Sequence, residues 1–214
     1  MKCPNPLFQR SARTMRPLKS TLCLGDDMSD DKEWQEIWDA RMMGLESTFG
    51  KCDKTHLHST IPFDLGIDLG GSPDVISFSG FTNGKLYVTA DLIGCADQKP
   101  NSHGNYELAV AHQGDEDWGV DIICRLAYYT LNNEIDNGET MDIGEATPEG
   151  STIEALLFKR IASFDFQGKP ANVICCIGIT KSELDYCFEQ GIEALFEKLP
   201  KEFVLTDLYR KSYV

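Results

Sequence analysis

The chain predicts a single α+β domain, with helices packed on a mixed, largely antiparallel sheet. Three observations support this. First, short apolar runs between residues 61 and 111 are separated by Gly70-Gly71-Ser72-Pro73, Asn83-Gly84 and Pro100-Asn101-Ser102, the punctuation of short strands. Second, three stretches repeat apolar residues every three or four positions, as an amphipathic helix does. Third, the apolar run Val173–Ile179 passes directly into Thr180-Lys181-Ser182-Glu183, where Thr180 and Glu183 make a capping box. The second half of the chain therefore reads strand, helix, strand, strand, helix.

In order, the first helix opens near Asp30 and Glu33, a capping-box pair. It carries Trp34, Ile37, Trp38, Met42, Leu45 and Phe49 on one stripe and stops at Gly50. Both tryptophans are expected in the core. Strands are predicted over Ile61–Leu65, Val75–Phe78, Leu86–Leu92 and Tyr106–Ala111, with Asn83-Gly84 as a tight hairpin. Leu86, Val88, Ala90 and Leu92 alternate with Tyr87, Thr89 and Asp91, which predicts a sheet covered on one face. The acidic turn Asp115-Glu116-Asp117 suits the positive end of a helix dipole. Trp118, Ile122, Leu126 and Tyr129 follow at helical spacing, and Asn132-Asn133 closes that helix. Ile153–Phe158 and Val173–Ile179 are the later strands, the second apolar on both faces and so central. One long final helix is expected, lined by Leu184, Phe188, Ile192, Leu195, Phe196 and Leu199 and ended by Pro200.

The net charge of −14 is unevenly spread. Residues 1–24 hold five basic residues and no acid, whereas from Met28 onward 32 acidic residues face 15 basic ones. Such a surface repels nucleic-acid phosphates, which speaks against a nucleic-acid partner and suits either plain solubility or a basic partner. The longest apolar run has seven residues, far short of the roughly 20 that a membrane helix needs. Cys124, Cys175 and Cys187 sit among apolar residues and no CxxC pair occurs. This predicts reduced structural thiols and a cytoplasmic location.

Residues 1–27 form a basic, proline-containing leader, expected to be disordered, with the domain spanning 28–214. An organellar transit peptide and a start placed upstream of the true first residue both fit its composition. We favour the second, because Met28-Ser29-Asp30-Asp31 leads directly into the first helix.

The sequence contains no P-loop, GxSxG, HExxH or dinucleotide fingerprint. No catalytic residue, metal site or cofactor is therefore assigned. His56-Leu57-His58 has metal-like spacing, but needs further ligands such as Cys52 or His112; a histidine pair in a loop before the first strand is the simpler reading. Asp64 and Asp68 do not fit a calcium loop. Glu107, between Tyr106 and Leu108, reads as a half-buried acid bonded to a neighbouring element, or as a carboxylate that meets a partner. Asp115, Glu116 and Asp117 are read as helix capping first, and as a partner-facing acidic surface second.

One resemblance sharpens this. Gly104–Val110, Trp118 with Leu126-Ala127-Tyr128-Tyr129, Leu156-Leu157-Phe158, Ile177–Leu184 and Gly191–Leu195 together resemble the suppressor of fused-like domain family. Val88–Gly94 is similar to the preceding strand and turn. The pattern covers about half to two-thirds of the chain and is mostly structural. It implies a non-enzymatic binding domain of the compact bacterial type, many of which are proposed as immunity proteins that neutralise a toxin. A protein partner, such as a basic toxin, is then expected, with Glu107 and Asp115–Asp117 as its contacts. The alternatives are an enzyme or a small-ligand-binding protein with a polar pocket near Glu107, or an oligomer-forming subunit.

Overall fold

Strands and helices pack as a mixed sheet sandwiched between helices in the computed structural model, which describes residues 8–11, 28–63, 69–81, 83–113, 118–144, 146–200 and 204–214. The strands are β1 (Phe8–Ser11), β2 (His56–Ser59), β3 (Val75–Phe78), β4 (Lys85–Thr89), β5 (Asn105–His112), β6 (Thr140–Asp142), β7 (Ile153–Phe166), β8 (Lys169–Thr180) and β9 (Leu205–Thr206). The helices are α1 (Met28–Phe49), α2 (Trp118–Tyr129), α3 (Lys181–Gln190) and α4 (Ile192–Lys198). The sheet runs β1-β2-β3-β4-β5-β8-β7-β6, with β9 paired to β5 off this path. All pairs are antiparallel except β5 with β8 and β5 with β9. The predicted α+β class with a largely antiparallel sheet is the observed one, and β8 is central as its two-faced apolar run requires.

Each face of the sheet has its own core. On one, α2 covers Tyr106, Leu108, Val110, Leu156, Phe158, Ile174 and Cys176. On the other, α1 covers Ile76, Phe78, Leu86, Val88, Ala109 and Val173, while α3 and α4 set Leu184, Leu195 and Leu199 on Leu157, Cys175 and Ile177. Cys175 and Cys176 thus point to opposite faces, and Cys52, Cys95, Cys124, Cys175, Cys176 and Cys187 are all free thiols. The expectation of a sheet covered on one face is corrected here. Tyr87 and Thr89 are as buried as their neighbours, because Tyr87 stacks on His112 at 5.1 Å beneath α2.

Several local readings are also corrected. Helix α1 starts at Met28, so Asp30 lies within it rather than at its cap. Trp38 is buried, but Trp34 is 43% exposed and stacks on it at 5.7 Å. His56 and His58 belong to strand β2, not to a loop, while Ile61–Phe63 contributes only a bridge between Pro62 and Ser72. The register Phe78 to Leu86 makes the β3–β4 connection longer than a two-residue turn. Strands β7 and β8 form a long hairpin closed at Gln167-Gly168, both with positive φ (51° and 78°), as a tight primed turn requires. The single final helix is two helices, broken at Gly191 with φ 89° and ψ 162°, a conformation nearly confined to glycine. Strands β6 and β9 had no counterpart in the sequence reading. The leader is described only at β1, and Asp64, Asp68 and Asp115–Asp117 lie outside the described residues.

Candidate functional site

Glu107 sits on β5 with its side chain fully buried. Its Oε1 accepts from the N–H of Ile93 at 2.8 Å and of Leu92 at 3.1 Å, and Oε2 accepts from Thr89 Oγ1 at 2.6 Å. The carboxylate therefore satisfies backbone donors of the turn after β4, whose N–H groups have no strand partner. Arg41, itself 5% exposed on α1, lies with Nε 3.4 Å from Oε1. The same guanidinium donates to Ile93 O and Ala90 O. Burial pushes the Glu107 carboxyl up from its ordinary value, and Arg41, Thr89 and the two backbone donors only partly offset that. Glu107 thus couples β5, the turn and α1. It presents no surface, so contact with a partner would first need the turn at Thr89–Ile93 to open.

The histidines flagged by spacing lie on one face of β2, with ring centroids 6.0 Å apart. Cys52 Sγ is 3.8 Å from His56 Nε2, but burial and Glu46 push that thiol up to about 11. His112 is elsewhere, packed between Tyr87 and Trp118. Among the described residues no three His, Cys, Asp or Glu side chains are grouped to hold a metal ion.

The accessible feature lies at the other end of the sheet. Tyr129 at the end of α2, Glu134, Ile135 and Gly138–Met141 beside and within β6, Phe158 of β7, and Cys187 and Phe188 of α3 line a groove of about 480 Å³. Its floor is apolar, because Ile135 and Phe158 are each 1% exposed. Its rim carries two carboxylates, Glu134 and Glu139, and no basic residue. Phe188 is 72% exposed, the most exposed of the large apolar side chains among the described residues. β6 is the last strand of the sheet, so its outer edge carries no strand among the described residues.

Each wall of this groove is rigidly placed. Tyr106 OH accepts from Ile135 N–H at 2.8 Å, fixing the loop after α2 to the core. Gly138 N–H donates to Phe158 O at 2.8 Å, and Phe158 N–H to Glu139 O at 2.9 Å. Helix α3 is capped by Thr180 and Glu183 in the capping box read from the sequence. Glu183 is fully buried and takes a two-pronged ion pair from Arg210, both contacts at 2.6 Å. It also accepts from Tyr213 N–H at 3.0 Å, which straps the C-terminal segment to α3.

Sequence reasoning missed this site. Phe188 was assigned to the core stripe of one long helix, whereas the break at Gly191 ends α3 and Phe188 is left facing solvent. The signal was Gly191 itself. Exposed aromatic surface beside carboxylates, on an apolar floor, can take up an apolar segment bearing a cation. Its one thiol, Cys187, is pushed up from its ordinary value by burial.

Comparisons with known proteins agree with this architecture. The family model described as suppressor of fused protein matches residues 72–211. No curated protein matches the chain. Among solved structures, a Sufu–Fu complex aligns with a TM-score of 0.65 at 10% identity, covering 83% of this chain and 92% of that one. Drosophila Suppressor of Fused aligns at 0.64 and 10% identity over 83% of this chain, which spans about half (51%) of that protein's length. A putative suppressor of fused homologue from Neisseria gonorrhoeae aligns at 0.60 and 14% identity, covering 84% and 98% of the two chains. The solved structures share the fold, and the family model spans more than half of the residues, all of β3 to β9 among them: the chain belongs to the suppressor of fused family.

Proposed function

We propose that the protein is a non-enzymatic binding domain that seats a segment of a partner protein in the groove between α2, β6 and α3. The observation that carries this reading is Phe188, 72% exposed beside Tyr129 and two carboxylates. Exposed apolar surface concentrated at a groove marks an interaction site. The segment that fits carries apolar side chains for the floor formed by Ile135 and Phe158, and a lysine or arginine for Glu134 and Glu139. A related Sufu protein was crystallised in complex with Fu, which supports a protein partner for this fold.

Within this reading, the partner is a basic toxin or effector and the mechanism is occlusion, in the cytoplasm. The excess of 32 acidic over 15 basic residues from Met28 onward supports the charge of that partner and speeds encounter with it. The acidic residues Asp115–Asp117 add to that field. Glu107 serves as the internal brace of the domain, which argues for a structural task over a catalytic one.

The test is affinity capture from native cells with the full chain, alongside Phe188→Ala and Glu139→Lys. A basic partner held stoichiometrically by the wild type, released at higher salt and missed by both variants, is the expected result. Equal capture by all three proteins would move the interface away from the groove.

A further inference from the structure

The ionic chain that begins at Glu107 continues past Arg41 to the surface. Asp91 is half-buried, with Oδ1 3.8 Å from Arg41 Nη1. Its Oδ2 accepts from the N–H of Asp74 at 2.7 Å. The Asp74 carboxylate in turn grips β2 at two adjacent residues: Oδ2 lies 2.7 Å from His58 Nδ1, and Oδ1 accepts from Ser59 N–H at 3.2 Å. This grip matters because β2 and β3 share a single strand pair, Leu57 with Val75. The neighbouring anchors, Asp53 N–H to Ser77 O and Ser72 N–H to Ile61 O, lie beyond the ends of β2.

We propose that His58, Asp74 and Asp91 form a pH-sensitive latch that seats strand β2 when His58 is protonated and loosens it when His58 is neutral. Three carboxylates (Asp74, Asp91, Glu107) face two cations, Arg41 and His58, of which Arg41 is permanent and His58 is not. When His58 loses its proton, Asp74 and Asp91 confront each other where β3 begins and β4 ends, beside the grip on β2. Only Arg41 then remains to offset them, and it also serves Glu107.

The titrations run in one direction. The hydrogen bond to Asp74 raises His58 above 6.5, reinforced by the Asp74 and Asp91 charges against the cost of burial. Burial and the Asp74 charge push Asp91 up to about 7, with Arg41 opposing. A raised histidine stabilises the fold below its unfolded pKa and loses that contribution as pH rises through the folded value. A raised carboxyl penalises the fold over the same rise. His56 is the one described neighbour acting the other way: burial and the His58 charge lower it, so it stays neutral while His58 charges.

Hydrogen–deuterium exchange on the full chain, at about pH 6 and about pH 8.5 and corrected for intrinsic exchange, reads the latch at the amides of β2. In the wild type, protection of β2 falls several-fold at the higher pH. His58→Gln, which keeps a neutral hydrogen bond to Asp74, shrinks this dependence to the smaller part set by Asp91. Asp91→Asn, which keeps an acceptor for Asp74 N–H and discards the charge, holds β2 protected at both values. Unchanged wild-type protection overturns the latch, as does a wild-type pH response in His58→Gln.

Discussion

Two buried glutamates each meet an arginine in this fold, yet their environments push them in opposite directions. Glu183 sits where burial opposes its charge, but the two-pronged Arg210 pair and the N–H groups of Thr180 and Tyr213 hold it below its ordinary value. Glu107 has a similar number of donors, but its arginine stands 3.4 Å away on one prong and divides its guanidinium among Ala90 O, Ile93 O and Asp91. Burial then wins, and Glu107 is raised. Pairing geometry and depth of burial together, more than the presence of a partner, decide whether a buried charge stabilises.

The sharpest way to break this comparison is Arg41→Met. It leaves Glu107 buried with no cation and removes two ties from α1 to the turn, at an expected cost of about 3–5 kcal/mol in urea unfolding. The double variant Arg41→Met with Glu107→Leu should recover part of that loss, because no charge is left stranded. A single-variant cost below about 1 kcal/mol would mean that Glu107 already folds as the neutral acid.

The second test is pH. Lowered Glu183 stabilises above its unfolded value, and that contribution disappears as pH falls through and below about 4.5. Asp53, where Ser77 and Ser79 outweigh burial, and Asp136, where Ser102 does so, act in the same direction. Asp91 and Glu107 act oppositely, favouring the fold as they take up protons. Thermal unfolding should therefore peak in mildly acid solution, with the acid limb blunted by Glu183→Gln and the alkaline limb by Asp91→Asn. Glu183→Gln should also cost about 2 kcal/mol near neutrality, because a buried charge-assisted pair is lost.

How much of this was legible in the sequence follows from the range of each interaction. The capping box at Thr180 and the two-faced run of β8 are local patterns, and they were read correctly; the stripe on α1 holds from Trp38 to Phe49, with Trp34 left exposed. Glu107 was read as a braced acid, but its full burial depends on Arg41, which sequence spacing does not bring near it. His56-Leu57-His58-Ser59 alternates as a strand does, yet the histidines were read as a pair in a loop before the first strand. Gln167-Gly168 closes a hairpin that the sequence reading did not mark. The groove depends on one local feature and one distant one: Gly191 breaks the last helix, and the loop from Glu134 to Met141 supplies the facing wall.

Gly191 tests the first of these. Its φ of 89° with ψ of 162° suits glycine alone, although a Cβ there would meet no atom within 4 Å. Gly191→Ala should thus cost about 1–3 kcal/mol through backbone strain and not through collision. If α3 and α4 instead fused into one helix, the cost would shrink and Phe188 would lose its place on the groove wall.

The smallest effect on stability is expected at Phe188, and there it is informative. A side chain that is 72% exposed loses little on truncation, so Phe188→Ala should unfold within about 0.5 kcal/mol of the wild type. That sets it apart from the two glutamate sites, which hold the domain together and offer no surface. A Phe188→Ala protein with unchanged unfolding and lost partner capture separates holding the fold from using it. A protein destabilised as much as Glu183→Gln would instead make Phe188 part of the α3 core, and the groove would lose its principal contact.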